Sequence, residues 1–176
     1  MGKTLRGLLL MLLLAGMAAA LLAAADRLPS LMQKGFVRKY GSIEEAKQSL
    51  GLDNVLIPAY FPEGITWPPS LILAQKRPYS AAVMEFKKVG AEETALIVIQ
   101  SSSAGSDRQL QRIALSQLKE ETRYRLKGEM VLLQVGTCDN GMSCSRMTWQ
   151  DNGLHHTVLL LSTPFELIRI AESMIH

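Results

Sequence analysis

The chain has 176 residues and a formal net charge of only +3 at pH 7. Its basic residues are scattered, and no Lys/Arg run is interleaved with aromatic residues, which argues against a nucleic-acid-binding protein. The sequence also contains no Gly-rich phosphate loop and no nucleophile motif, so we predict a protein that is not an enzyme and has no cofactor.

The first 25 residues are the most informative part of the sequence. Lys3 and Arg6 precede an unbroken apolar run over residues 8–25. Such a run spans about 27 Å as a helix, close to the hydrocarbon thickness of a bilayer. A cleaved signal peptide and an uncleaved transmembrane anchor both stay open, because the alanines before Asp26 also form a small-residue cleavage site.

Basic residues lie on both sides of the apolar run, so charge alone does not set its orientation. The signal-peptide-like layout and the paired cysteines favour a single-pass protein of the bacterial inner membrane, with its domain on the periplasmic or extracellular side. Met17 stands where a bacterial lipobox has its cysteine. The apolar helix itself is therefore the expected anchor, and it contacts membrane lipid.

Three parts of the chain follow from this pattern. We predict a signal-anchor helix over residues 1–25, a juxtamembrane linker over residues 26–41 and an exocytoplasmic domain over residues 42–176. About 150 residues are the usual size of one domain with its own core. The linker lies on the lipid surface, forms a solvated tether, or is the first element docked on the domain; the sequence leaves these alternatives open.

The domain opens with a helix and a proline-rich segment. Ser42 and Glu45 form the S-x-x-E pattern of a capping box, and Gly51 is a natural helix end. Prolines between residues 58 and 69 make the next segment rigid, because each proline fixes φ and restricts its predecessor. Three strands are then predicted over residues 71–76, 81–89 and 94–101, with connections typical of antiparallel hairpins.

Alternation within the second of these strands predicts which of its faces meets solvent. Met84 and Phe86 alternate with Glu85 and Lys87. Successive strand residues point to opposite faces of a sheet. We therefore expect the face that carries Glu85 to be exposed to solvent.

The second half repeats the order of helix, three strands and helix. Residues 106–109 form an S-x-x-Q capping box that predicts a helix, with an apolar stripe formed by Leu110, Ile113, Ala114 and Leu118. Strands are predicted over residues 130–138, 144–150 and 154–162, the last two joined by an Asn-Gly turn. Thr163 and Glu166 form a T-x-x-E box that opens the terminal helix. The predicted fold class is α+β: an antiparallel sheet of two three-stranded sets, with helices packed on one face.

The two cysteines, Cys138 and Cys144, are predicted to form a disulfide. An even cysteine count beyond a membrane is consistent with one bridge, and the intervening Asp-Asn-Gly sequence is typical of a turn. The alternative is a pair of reduced thiols. A zinc site would need two further ligands at suitable spacing, so no metal is predicted.

Residues 58–64, Pro-Ala-Tyr-Phe-Pro-Glu-Gly, carry a resemblance to a known family. They are similar to the P-x-Y-L-P-E-G signature of a bacterial domain of unknown function, found as the outward-facing C-terminal domain of anti-sigma-factor-like membrane proteins and in lipoproteins. The Trp strand, polar turn, apolar strand and final Ala-Glu-Ser helix extend the resemblance over residues 42–176. Phe61 replaces the usual leucine, and the N-terminal zinc-binding module is missing. The resemblance implies no catalytic residues.

Three aromatic residues are the candidate partner-binding site. Tyr60, Phe61 and Trp67 lie on the rigid proline-rich segment and would form a contact surface for a protein partner. The alternative is that they pack beneath the sheet. Two other candidates are weaker: His155 and His156 are neighbours that point to opposite faces of a strand, and the serines at 101–103 lack a nucleophile elbow.

The sequence predicts a non-enzymatic, membrane-anchored exocytoplasmic binding domain, an accessory or scaffolding subunit of an envelope or membrane protein assembly. The alternative is a cleaved periplasmic carrier or sensor that holds an apolar ligand or a lipoprotein between sheet and helices. Its cavity would be lined by residues such as Met84, Phe86, Ile97 and Val158.

Overall fold

The computed structural model describes residues 16–17, 37–50, 55–105 and 110–175. The chain divides into two compact units, Met1–Val37 and Arg38–His176, and the sheet lies entirely in the second unit. Apart from Gly16 and Met17, the predicted anchor lies outside the described residues. Among the residues that are described, no helix combines the length and apolar character needed to cross a membrane.

The second unit is built on one antiparallel sheet of eight strands. The strands are β1 (Arg38–Tyr40), β2 (Leu71–Gln75), β3 (Ala81–Lys87), β4 (Thr94–Ser101), β5 (Leu115–Leu126), β6 (Glu129–Cys138), β7 (Ser143–Asp151) and β8 (Leu154–Leu160). Their order across the sheet is β1-β2-β3-β4-β8-β7-β6-β5. The two predicted three-stranded sets are present as β2–β4 and β6–β8, and they merge where β4 pairs with β8.

The α+β prediction is wrong, because the fold is largely β. The described residues of the second unit contain two short helices, α1 (Ile43–Leu50) and α2 (Pro164–Glu172). The predicted middle helix is wrong at Leu118. This last residue of its apolar stripe lies in the twelve-residue strand β5. The capping box at residues 106–109 lies outside the described residues.

Strand β5 forms because a tight turn returns it onto β6. Lys127 and Gly128 both have positive φ, 49° and 96°, the geometry of a two-residue hairpin turn whose twist matches the flanking strands. The predicted Asn-Gly turn between β7 and β8 has the same geometry, with φ of 49° at Asn152 and 76° at Gly153. Both turns thus set the register of long antiparallel pairs.

The two faces of the sheet carry separate cores. The first face packs against both helices, and its fully buried members include Met84, Phe86, Leu96, Val98, Met147, Val158, Leu167 and Ile170. The second face has a smaller core, formed by Val83, Ile97, Ile99, Cys138, Cys144 and Leu159 and flanked by Leu110, Ile113 and Leu115. The central strands are therefore buried on both sides.

The capping boxes have different outcomes in the two helices. In α1 the Glu45 amide donates to the Ser42 hydroxyl at 3.1 Å, which confirms the predicted cap, and the Glu45 carboxylate reaches back to accept from the Gly41 amide at 3.0 Å, one residue before the N-cap. In α2 Thr163 makes no side-chain cap hydrogen bond. Thr163 is the N-cap residue as predicted, but the T-x-x-E box is wrong, and the Glu166 carboxylate accepts a hydrogen bond from Tyr60.

The predicted disulfide is present and closes the β6–β7 hairpin. Cys138 and Cys144 are bonded, with their Cα atoms 5.8 Å apart, and both are buried on the second face. The same hairpin holds the chain ahead of β5, since the Asp139 amide donates to the Ala114 carbonyl and the Ala114 amide to the Asp139 carboxylate. The bridge therefore fixes a turn, and this turn holds the chain at Ala114, in the segment that packs over the second face just before β5.

Gly136 is a position in β6 where only glycine fits. A Cβ at this residue would lie 2.0 Å from the carbonyl oxygen of Gln117, at the point where β5 shifts its register against β6. We expect Gly136→Ala to lower the free energy of unfolding by about 3 kcal/mol, because the backbone must move to admit the methyl group. Urea unfolding followed by tryptophan fluorescence measures this change.

The matched control is Gly41→Ala, where the nearest atom to the added Cβ is the Glu45 carboxylate at 3.5 Å. This exposed substitution should change the free energy of unfolding by no more than about 0.5 kcal/mol. Equal effects of the two substitutions would contradict the close approach at Gly136.

The disulfide should stabilise the domain modestly. The cysteines are six residues apart in the sequence, and the chain-entropy model gives about 2 kcal/mol for so short a loop. We expect the double variant Cys138→Ala, Cys144→Ala to lose about this much stability and to become insensitive to dithiothreitol. Intact-mass analysis after alkylation checks the bond itself: two alkylated thiols in the unreduced protein would contradict it.

Candidate partner-binding surface

The proline-rich segment, residues 55–69, is held against the first face of the sheet by specific polar contacts. The buried Gln100 on β4 accepts from the Leu56 amide at 2.7 Å and donates to the Leu56 carbonyl at 2.6 Å. The hydroxyl of Ser173 accepts from the amides of Ala59 and Tyr60. These bonds satisfy backbone groups that no strand pairs, so the segment has a fixed path.

Tyr60 joins this segment to α2. Its hydroxyl donates to the Glu166 carboxylate at 2.6 Å, and this hydrogen bond raises the pKa of the Tyr60 phenol. The guanidinium of Arg169 lies 4.1 Å from the ring centroid and 3.6 Å from Glu166. Tyr60 is half-buried, and its contacts are those of a residue that positions the segment.

Phe61 and Trp67 lie together, as a shared contact surface requires. Their ring centroids are 5.3 Å apart, and each ring also packs on Phe86, at 5.1 Å from Phe61 and 6.1 Å from Trp67. Phe86 is fully buried, Phe61 is half-buried and Trp67 is 55% exposed. Trp67 is therefore an exposed aromatic side chain on a rigid base, an arrangement suited to contacting a partner.

Phe165 is a further exposed aromatic residue, and the sequence prediction did not include it. It is 76% exposed in the first turn of α2, next to Glu166. A helical wheel could have found it, because it lies about 200° around the helix from the buried Leu167. We name the set of Tyr60, Phe61 and Trp67 the aromatic surface; Phe165 is the sequence neighbour of Glu166, which accepts the Tyr60 hydrogen bond.

A groove of about 250 Å³ runs beside the aromatic surface. Its lining combines the proline-rich segment, the β3–β4 turn, the β6–β7 hairpin and the chain before α2, and it includes Pro62, Ile65, Lys88, Met142, Leu161 and Glu166. Val89 and Met142 add exposed apolar area at this end of the sheet. A concave apolar surface with charged groups at its edge is typical of a protein-binding site.

The two histidines point to opposite faces of β8, although both residues border a groove of about 400 Å³. His156 is aligned with Gln100 and Trp149 across the sheet, whereas His155 is aligned with Ser101 and Gln150. Neighbouring strand residues face opposite ways, so the rings diverge as predicted. His156 stacks on Trp149 with centroids 5.0 Å apart, and burial lowers the pKa of its imidazole.

The other polar clusters have structural contacts. Ser101 bonds with the backbone of Ser103, which makes a local turn after β4. Glu120 and Glu121 lie on β5, where the Glu121 carboxylate accepts a hydrogen bond from the Gln134 side chain. Within the described part of the chain, no group of three or more His, Cys, Asp or Glu residues is placed to hold a metal ion.

The residues expected to line an apolar ligand cavity are all buried, but they lie on two faces. Met84, Phe86 and Val158 belong to the first-face core, whereas Ile97 belongs to the second. The sheet backbone separates these two sets of side chains. These four residues therefore do not line one common cavity, and the carrier hypothesis stays a prediction.

Comparisons with protein-family models, with curated proteins and with solved structures found no match to this chain. The resemblance of residues 42–176 to a domain of unknown function therefore stays a prediction.

Proposed function

We propose that the chain is a membrane-anchored, non-enzymatic binding protein. In this proposal the Arg38–His176 unit lies on the periplasmic or extracellular side of a bacterial inner membrane. There it contacts a partner protein through the aromatic surface, as an accessory or scaffolding subunit of a membrane assembly. The observation that carries the proposal is Trp67, which is half-exposed on a buried aromatic base.

The surroundings of Trp67 support a protein as the ligand. Tryptophan is enriched among the residues that dominate binding energy at interfaces. Lys88, Glu63 and Arg169 add charged groups near the apolar residues, which matches the polar rim of a typical interface. The hydrogen bonds of the proline-rich segment fix the surface before binding, which lowers the entropy lost on association.

The membrane and compartment parts of the proposal rest on separate observations. The apolar run over residues 8–25 has the length of a membrane-spanning helix. The disulfide favours an oxidising compartment outside the cytoplasm. A tether of this kind would hold the domain near membrane partners and raise their effective concentration.

Site-specific photo-crosslinking tests the partner surface. A photoreactive residue placed at position 67 or 165 of the full chain, in its own membranes, should form one crosslinked product. Met130, which is 54% exposed on the β5–β6 hairpin, provides the matched control position. We expect Trp67→Ala to reduce the product formed from position 165 at least tenfold, equivalent to a loss of about 1.4 kcal/mol of binding energy.

The unfolding midpoint of Trp67→Ala must be measured beside the crosslinking, since loss of folding would imitate loss of binding. Two outcomes would exclude the aromatic surface as the binding site. One is crosslinking from position 130 that equals crosslinking from positions 67 and 165, and the other is parent-like crosslinking by the Trp67→Ala variant.

N-terminal mass analysis of the membrane fraction tests the anchor. We expect the mature protein to keep residues 1–25 and to resist extraction by carbonate, because an uncleaved apolar helix of this length stays in the bilayer. A mature chain that begins at Asp26 and washes off as soluble protein would overturn the anchor and leave the binding surface to be tested alone.

A further inference from the structure

The cover of the sheet stops short of its edge strand β5. On β3, Glu85 is 4% exposed because the chain around Arg112 and Ile113 lies over it, so the predicted solvent-exposed face is wrong. On β5, by contrast, all residues over 116–123 are exposed. This strand ends the strand order, and among the described strands it pairs with β6 alone. Its outer edge therefore has no neighbouring strand within the described part of the chain.

The hairpin turn between β5 and β6 fixes which backbone groups point out from this edge. In a two-residue hairpin the residues that flank the turn form a hydrogen-bonded pair, and such pairs alternate along the ladder with pairs whose backbone groups point outward. Leu126 and Glu129 flank the turn, and the register is continuous over residues 120–126. Counted back from the turn, the N–H and C=O groups of Glu121 and Arg123 point away from β6 and towards any added strand.

The charges on β5 allow a second strand to approach. Proteins commonly protect an exposed edge strand with proline or with charged side chains, above all lysine. Strand β5 contains no proline, and its charges are of both signs, with Lys119 and Arg123 on either side of Glu120 and Glu121. A mixed edge of this kind repels a second strand only in the registers that bring like charges together.

Two copies of β5 have one antiparallel register that matches these charges. When a two-fold axis passes at Thr122, Glu121 of each copy lies opposite Arg123 of the other. Thr122 then meets its own equivalent, and Glu120 meets Tyr124. A slip of two residues in either direction would place Arg123 opposite Arg123 or Glu121 opposite Glu121. Opposite charges directly across a ladder stabilise it and like charges destabilise it, so the register centred on Thr122 is favoured.

The same register joins the backbone groups that the hairpin directs outward. Glu121 of one copy and Arg123 of the other form a hydrogen-bonded pair, since both residues point their N–H and C=O groups out of the edge. The register shift between Leu118 and Glu120 ends the regular stretch, because a bulge bends the edge away. The paired stretch is therefore residues 120–124, and so small a contact gives a weak, reversible dimer.

We propose that two copies of this chain associate through the outer edge of β5, in an antiparallel pairing centred on Thr122. The contact is separate from the aromatic surface, which packs on Phe86 of β3, several strands away in the order of the sheet. Either proposal can therefore fail without the other. Position 130, the control in the partner experiment, lies on β6 beside this edge. A product from it that contains two copies of the chain is counted as the dimer and not as a partner contact.

Cysteine crosslinking of the full chain in its own membranes tests the register. The two Thr122 residues would form a non-hydrogen-bonded pair with Cα atoms about 4.5 Å apart, a separation that a disulfide spans. We expect mild oxidation to link Thr122→Cys into a dimer at least tenfold more than Gln117→Cys, an exposed position on β5 beyond the bulge. The native cysteines do not compete, because they are bonded to each other. Peptide mass analysis identifies the two linked chains.

Charge reversal in the Thr122→Cys chain tests the pairing itself. Arg123→Glu places like charges across the contact and should reduce the linked dimer at least tenfold. Adding Glu121→Arg to this variant restores opposite charges and should restore the dimer. The matched control is Lys76→Glu, which makes the same change of charge at an exposed residue after β2 and should dimerise as the parent does.

Unfolding midpoints are measured for each variant, since Glu121→Arg also removes the acceptor of the Gln134 hydrogen bond. Equal linkage from positions 122 and 117 would show that the chains meet by random collision and would overturn the proposal. Folded single and double reversal variants that dimerise equally would overturn the Glu121–Arg123 register.

Discussion

The pairing of β4 with β8 is the interaction on which the rest of the structure depends. It aligns Leu96 with Leu160 and so joins two sets of hairpins that lie far apart in the sequence. The result is a single sheet whose central strands are buried on both faces. Each face then needs its own cover, because a long apolar sheet surface left in water would be unstable and prone to aggregate.

The segments that provide this cover carry the candidate partner-binding surface and the chain that buries Glu85. On the first face, the carboxamide of Gln100 fixes the backbone of Leu56, and the chain continues from there to Trp67. On the second face, the disulfide hairpin holds Ala114 and so positions the chain that carries Arg112 over Glu85. Loops placed by a rigid scaffold are common sites of function, and in this protein the sheet is that scaffold.

Local sequence signals predicted the hairpins but not the long-range contacts. Alternating strands and an Asn-Gly turn located β7 and β8, because these signals act between neighbours. The apolar spacing that ends at Leu118 is compatible with a helix, and only pairing with β6 makes this residue part of a strand. Phe61 and Trp67 are close in sequence, so their contact was predictable, whereas the hydrogen bond of Tyr60 to Glu166 spans 106 residues.

Glu85 shows why departures from pattern are informative. A period-two alternation predicts which strand residues share a face, but it carries no information about a segment that later covers that face. The resulting burial of a carboxylate is locally unfavourable, and replacement by an amide of the same shape would relieve it. Proteins tolerate such losses mainly at functional sites. The unsatisfied oxygen of Glu85 lies beneath the covering chain, and Arg112 of that chain is the cation that pairs with the other oxygen.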